Sequence, residues 1–298
     1  MKTRTRAALA FAAGLIATAQ AAHAGAIDTY YERAVMLAAD SRCHLFSPDL
    51  ASALAAAAAQ AHGAALRSGA DDAALDAALG RAQSRASAVP CGSPDIATAA
   101  NRVRSAFDGY SKLQSMNYPG DTAAWSAQRA APVRTMVWKL SQSTRFGADS
   151  AVLGLAGRDG PSVLLAVASF ADGAQPYTAR LVVRDRSDAP GPFLNGMRSS
   201  PGAVLPLAQR MPPRIATTAF LPTARTGVDA MLLPAGQKSG VAFWFPRSAS
   251  AALASLDPRE AVAIDFVFTG SGGDKVRTAY FEVGDFAAGR AFLAANQR

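Results

Sequence analysis

The chain has 298 residues, half of them hydrophobic, with 30 basic and 22 acidic side chains, a net charge of +8 and two cysteines. That length suits one large domain or two smaller ones, each able to bury a core. The basic excess is modest: without Lys2, Arg4 and Arg6 of the leader described next it is 27 against 22, or +5, which argues against nucleic acid as a partner.

The first residues read as a secretory signal peptide spanning 1–24. Lys2, Arg4 and Arg6 form a basic start, Ala7 to Ala19 an apolar stretch, and Ala22-His23-Ala24 a small-residue cleavage site. The apolar run is shorter than the roughly 20 residues a spanning helix needs, and no later run is longer. No cysteine stands at the cut to carry a lipid. The expectation is a bacterial protein, soluble in the periplasm or secreted after cleavage near Ala24, with no membrane span in the mature chain.

Residues 25–115 carry helical periodicity throughout. Ile27, Tyr30, Tyr31, Ala34, Val35 and Ala38 line one face of a first helix that ends near Arg42. Ser47 followed by Pro48 is a helix start, with a side-chain acceptor at the cap and a residue lacking N–H at the first position. Leu50, Leu54, Ala58, Ala61 and Ala65 continue that second helix to Gly69. A third follows Asp71-Asp72 and stops before Pro90. Asp71, Asp72 and Asp76 read as acids complementing a helix macrodipole and not as a catalytic cluster. A fourth helix opens at Ser93-Pro94 and carries Ile96, Ala100, Val103, Phe107 and Tyr110. Cys43 and Cys91 each precede a Ser-Pro-Asp helix start, and in an oxidising compartment they should pair. Closing a loop of about 49 residues would stabilise the fold by about 4 kcal/mol in the chain-entropy model.

Residues 116–132, with Asn117-Tyr118-Pro119-Gly120-Asp121, read as a linker packed by Tyr118 and Trp125. Beyond it, in 133–298, the period changes to two. Strands are expected around Val133–Leu140, Val152–Gly157, Val163–Phe170, Tyr177–Arg186, Ile215–Leu221, Val241–Phe245, Ala261–Phe268 and Val276–Val283, with helices at 248–256 and 285–296. The fold class is therefore α+β: a disulfide-tied helical bundle, then an antiparallel β-sandwich or partial barrel with one or two helices.

Two features of the second half have binding content. On the strand from Tyr177 to Arg186, Arg180, Arg184 and Arg186 share the face opposite the apolar one. That face is either a solvated outer surface or a surface for an anionic envelope partner, gripped through guanidinium forks. The second feature is the proline- and glycine-rich excursion 187–213, long for a compact domain.

The last sixty or so residues carry a further pattern. Phe245-Pro246, a short helix with Ala252 and Leu253, the strand Ala261-Val262-Ala263-Ile264, and then Tyr280-Phe281-Glu282-Val283-Gly284-Asp285-Phe286-Ala287-Ala288 follow one another. This order resembles the closing part of invasion-associated-locus-B-like periplasmic proteins. The resemblance implies an exported β-rich module with no assigned enzymatic activity.

Other chemistries lack their residues. Outside the leader the histidines are His44 and His62, both in the helical half, and there is no Gly-Xaa-Ser-Xaa-Gly elbow or Ser-Xaa-Xaa-Lys motif. Gly270-Ser271-Gly272-Gly273 lies between strands, so it is a turn and not a phosphate cradle. With both cysteines paired, a zinc site lacks ligands. No cofactor, metal site or catalytic residue is assigned. The remaining acid–base material is Glu260, Asp265, Glu282 and Asp285, which would serve a carboxylate-based periplasmic hydrolase. The leading expectation is a binding or accessory module of the cell envelope, its partner an envelope protein or an anionic envelope component, with that hydrolase as the alternative.

Overall fold

In the computed structural model the described residues are 9–129, 134–158, 162–193 and 205–294, with side chains from Gly25 onward. The chain forms two compact units, residues 1–109 and 110–298.

The first unit is helical. α1 (Leu9–Cys43) is one continuous helix, joined by α2 (Pro48–Arg67), α3 (Asp72–Ala88) and α4 (Pro94–Lys112). The starts follow the sequence logic: Ser47 Oγ accepts from Leu50 N, Asp71 Oδ1 accepts from Ala74 N at 2.7 Å, and Ser93 Oγ accepts from Asp95 N at 3.2 Å. Alanine does much of the packing. Ala65, Ala78 and Ala82 are fully buried, which lets helix backbones approach closely where larger residues would hold them apart. A small cluster of Met36, Leu54 and Ala100, flanked by Leu37, Phe46 and Val103, binds α4 to α1 and α2. The Cys43–Cys91 disulfide fixes the end of α1 to the residues just ahead of α4, with Cα atoms 5.5 Å apart. Among the described residues, no helix is long and apolar enough to cross a membrane.

The second unit is a β-sandwich. Its larger sheet has seven strands in the order β1 (Ser115–Pro119), β2 (Ala124–Gln128), β3 (Val137–Phe146), β4 (Asp149–Gly157), β5 (Val163–Ser169), β9 (Val241–Trp244), β8 (Ala224–Gly227). The smaller has four, in the order β11 (Lys275–Glu282), β10 (Ala261–Phe268), β6 (Thr178–Arg184), β7 (Thr217–Phe220). Every named pairing is antiparallel. Alternation puts Leu153, Leu155, Leu164, Ala166 and Phe243 of one sheet against Leu181, Val183, Ile264, Phe266 and Phe281 of the other, in one continuous core. α5 (Arg247–Ala254) and α6 (Phe286–Ala294) contribute Ala249, Leu253, Phe286 and Phe292 to that core. A second apolar cluster lies on the outer face of the larger sheet, where Leu232 joins Ala156, Leu165, Val167 and Ala242. Trp138 Nε1 donates to the Leu232 carbonyl there and holds the covering segment down.

Of the stretch 116–132, expected as a linker, residues 130–132 lie outside the described residues and 116–128 are instead part of the sandwich. Ser115–Pro119 and Ala124–Gln128 form a hairpin, and β2 pairs with β3. Its period-two pattern of Met116, Tyr118, Trp125 and Ala127 is interrupted by Pro119-Gly120-Asp121, which is the turn of the hairpin and not the end of a domain. Trp125 is fully buried, meets Phe286 edge-on at 4.9 Å, and donates from Nε1 to the Val283 carbonyl at 2.9 Å. Tyr118 is packed against Phe292, and burial drives its phenol pKa well above the ordinary value. Both aromatics therefore belong to the core.

Arg129, just past β2, is buried without a carboxylate partner in any described ion pair. Its Nη1 donates to the carbonyls of Tyr110, Ser111 and Leu113 at the end of α4, and its Nη2 donates to the Phe292 carbonyl of α6 at 2.8 Å. Two helix C-termini, each carrying partial negative charge, stand in for the missing acid. The guanidinium also lies over the Phe292 ring, 3.6 Å from its centre.

Candidate functional site

Of the three arginines of the basic strand face, Arg184 is withdrawn from solvent. Arg184 is only 4% exposed, and its Nε and Nη2 pair with Oε1 and Oε2 of Glu260 at 2.6 and 3.1 Å. Its Nη1 donates to the carbonyls of Ala189 and Pro190. The start of the 187–213 excursion thus folds back over the outer face of β6 and buries Arg184, whose face the sequence leaves as either solvated or partner-binding. Arg180 is half-buried, directly across from Asp265 in the β6–β10 register. Only Arg186 of the three is exposed, and it lies beyond the strand.

The far end of the excursion is tied in the same way. Arg210, 1% exposed, donates from Nε to the Leu205 carbonyl at 2.9 Å, and from Nη1 toward Glu282 Oε1, Asp121 Oδ2 and the Arg259 carbonyl, each at 3.4 Å. Glu282 is fully buried. Its carboxylate accepts from the backbone N–H of Asp121, Thr122 and Ala123 and from Thr122 Oγ1, at 2.6 to 2.9 Å. These are consecutive amides of the β1–β2 turn, a concave nest whose anion is a side chain of β11. Gly120 is required there: a Cβ would clash with the Ala123 carbonyl and come 2.6 Å from Glu282 Oε2.

The four acids considered for hydrolysis are consequently spoken for, or turned elsewhere. Glu260 accepts from Arg184 and from Asp257 N at 3.0 Å, and Glu282 from the turn and Arg210. Asp265 accepts from Thr278 Oγ1 at 2.6 Å on the neighbouring strand, and Asp285 is buried at the start of α6. A general acid or a nucleophile needs an oxygen facing substrate. Glu260 and Glu282 turn theirs to arginines and backbone amides instead. Among the described residues, no cluster of His, Cys, Asp or Glu has metal-binding geometry.

A different cationic site lies between α5 and α6. A half-open cleft of about 250 Å³ is lined by Leu155, Val163, Leu164 and Leu293, with Ser162, Ser250, Arg247 and Arg290 as its polar members. Arg247 and Ser250 are three apart on α5; Arg290, Leu293 and Ala294 are three and four apart on α6. Each set therefore shares one helical face. Arg247 and Arg290 are exposed, and neither is in an ion pair with any described residue; Arg290 Nη1 approaches only the Ser250 carbonyl, at 3.4 Å. Two like charges face one cleft, and no acid is among its described lining residues.

The sequence reading missed both arginines. Arg247 carries one signal: it occupies the first position of α5, where the helix dipole disfavours a cation. Arg290 carries none, since pairing the two depends on how α5 and α6 meet. The Cys43–Cys91 pair is present as expected and is structural.

No protein-family model, curated protein or solved structure matches this chain.

Proposed function

We propose that this chain is an exported binding or accessory module of the cell envelope, and that its β-sandwich unit engages an anionic group at the α5–α6 cleft. Export rests on the leader-like residues 1–24 and agrees with the disulfide, which persists in oxidising compartments. The likeness of the last sixty residues to invasion-associated-locus-B-like proteins points the same way. The observation that carries the binding reading is the pair Arg247 and Arg290 lining one cleft without a described carboxylate partner. Such a pair attracts an oxyanion, and guanidinium groups grip carboxylate or phosphate through paired N–H bonds.

The test has two parts. Osmotic-shock release followed by N-terminal sequencing should give mature protein beginning at Gly25. Inorganic phosphate, compared with chloride at matched ionic strength, should raise the melting temperature of the full chain and fail to do so for R247Q/R290Q. Equal responses in the two proteins would remove the anion site.

A further inference from the structure

We infer that the α5–α6 cleft is built for a small amphiphile, an oxyanion carried on a short alkyl body, and not for a bare inorganic anion. This rests on the anion-binding reading above and concerns the class of ligand. The cleft is two-faced. Arg247, Arg290, Ser162 and Ser250 supply cations and hydroxyls, while Leu155, Leu164 and Leu293 belong to the continuous core of the sandwich. A site for a free anion has no use for an apolar wall; a site for a purely apolar ligand has no use for two arginines. The cleft is thus a place where the edge of the core, with half-buried Val163 beside it, lies under a cationic rim.

Size limits the body. The cleft offers only about 250 Å³, so the chain of the ligand is short or only its first carbons enter. Each methylene withdrawn from water improves affinity about fourfold. A chain of several carbons therefore separates the amphiphile from the bare anion by at least tenfold. The same chemistry is offered by a free alkyl phosphate and by a phospholipid headgroup with its first acyl carbons. The half-open cleft on exposed helix faces favours the free molecule, because a bilayer would have to give up its own packing to present the chain.

Calorimetric titration of the disulfide-intact full chain with hexyl phosphate and with inorganic phosphate, at low salt, decides this. Hexyl phosphate should bind at least tenfold more tightly than inorganic phosphate, and R247Q/R290Q should weaken it at least tenfold without lowering the melting temperature. A Leu293→Ser variant should reduce hexyl phosphate binding and leave inorganic phosphate unchanged. Equal affinity for the two probes would overturn the amphiphile inference while leaving the anion site standing. No binding of either probe would remove both. Co-sedimentation with phosphatidylglycerol vesicles in the absence of hexyl phosphate binding would also overturn the inference, in favour of a membrane surface.

Discussion

Gln142 on β3 bonds through its side-chain amide to both backbone groups of Glu282 on β11: Oε1 accepts from Glu282 N at 2.7 Å, and Nε2 donates to Glu282 O at 3.2 Å. β11 is an edge strand of the four-stranded sheet, so at Glu282 its outward N–H and C=O have no neighbouring strand to pair with. A primary amide presents a donor and an acceptor much as a peptide does. Gln142 thus acts as one residue of a missing strand and bridges the two sheets at the end where Glu282 also binds the β1–β2 turn.

Replacing Gln142 by Met keeps the volume and removes the bridge. The Glu282 N–H would be left buried without its acceptor, which costs about 1–3 kcal/mol, while its carbonyl keeps Trp125 Nε1. Urea denaturation should show a lower midpoint with an unchanged slope.

Arg184 and Glu260 are both buried, so breaking the pair from one side should cost about 3–5 kcal/mol, as uncompensated buried charges do. Glu260→Ala should fall in that range, and the double variant R184L/E260L should be less destabilised than the two single changes added together. Neither change should alter phosphate binding, because both groups face the excursion and not the cleft.

His44 follows α1 with a left-handed backbone, φ 52°, which side-chain-bearing residues adopt at a cost of about 1–2 kcal/mol. Glycine takes this conformation freely, at the expense of a more flexible unfolded chain. His44→Gly should therefore stabilise the helical unit by about 0.5–1 kcal/mol, read as a higher melting temperature by far-ultraviolet circular dichroism.

Asp172 accepts from both terminal nitrogens of Arg277, whose donated hydrogen bonds lower its pKa to about 2 from 3.8. Because the folded value is the depressed one, the pair's contribution is present above pH 3.8 and is lost as pH falls through about 2. A carboxyl-carbon NMR titration should place the midpoint near 2 in the wild type, and Arg277→Gln should return it toward 3.8.

The helical half was legible because its signals are local. A cap, a proline at the first position and a three-four spacing act within a few residues: Ser47 and Ser93 cap as their Ser-Pro-Asp context predicts, and Asp71, read as a macrodipole acid, also caps. The disulfide followed from the oxidising compartment that the leader-like start implies and from the number of cysteines. The strands of the sandwich were mostly legible from alternation, although β1 and β2 were read as a linker and β8 was not foreseen.

The roles of charged residues were not legible, for the same physical reason in each case. Alternation places Arg184 on the outer side of β6, and only the folded-back excursion makes that side an interior. Glu282 is an acid on a strand until the β1–β2 turn, some 160 residues earlier, wraps three amides around it. Arg247 and Arg290 become a pair only where two helices meet over the edge of the core. Sequence by itself determined which segments coil, which extend and which two cysteines join, because those choices depend on neighbours along the chain. Tertiary structure decided which charges are buried and paired and which face a cleft, because an electrostatic role is set by distance and desolvation, and both come from segments remote in sequence.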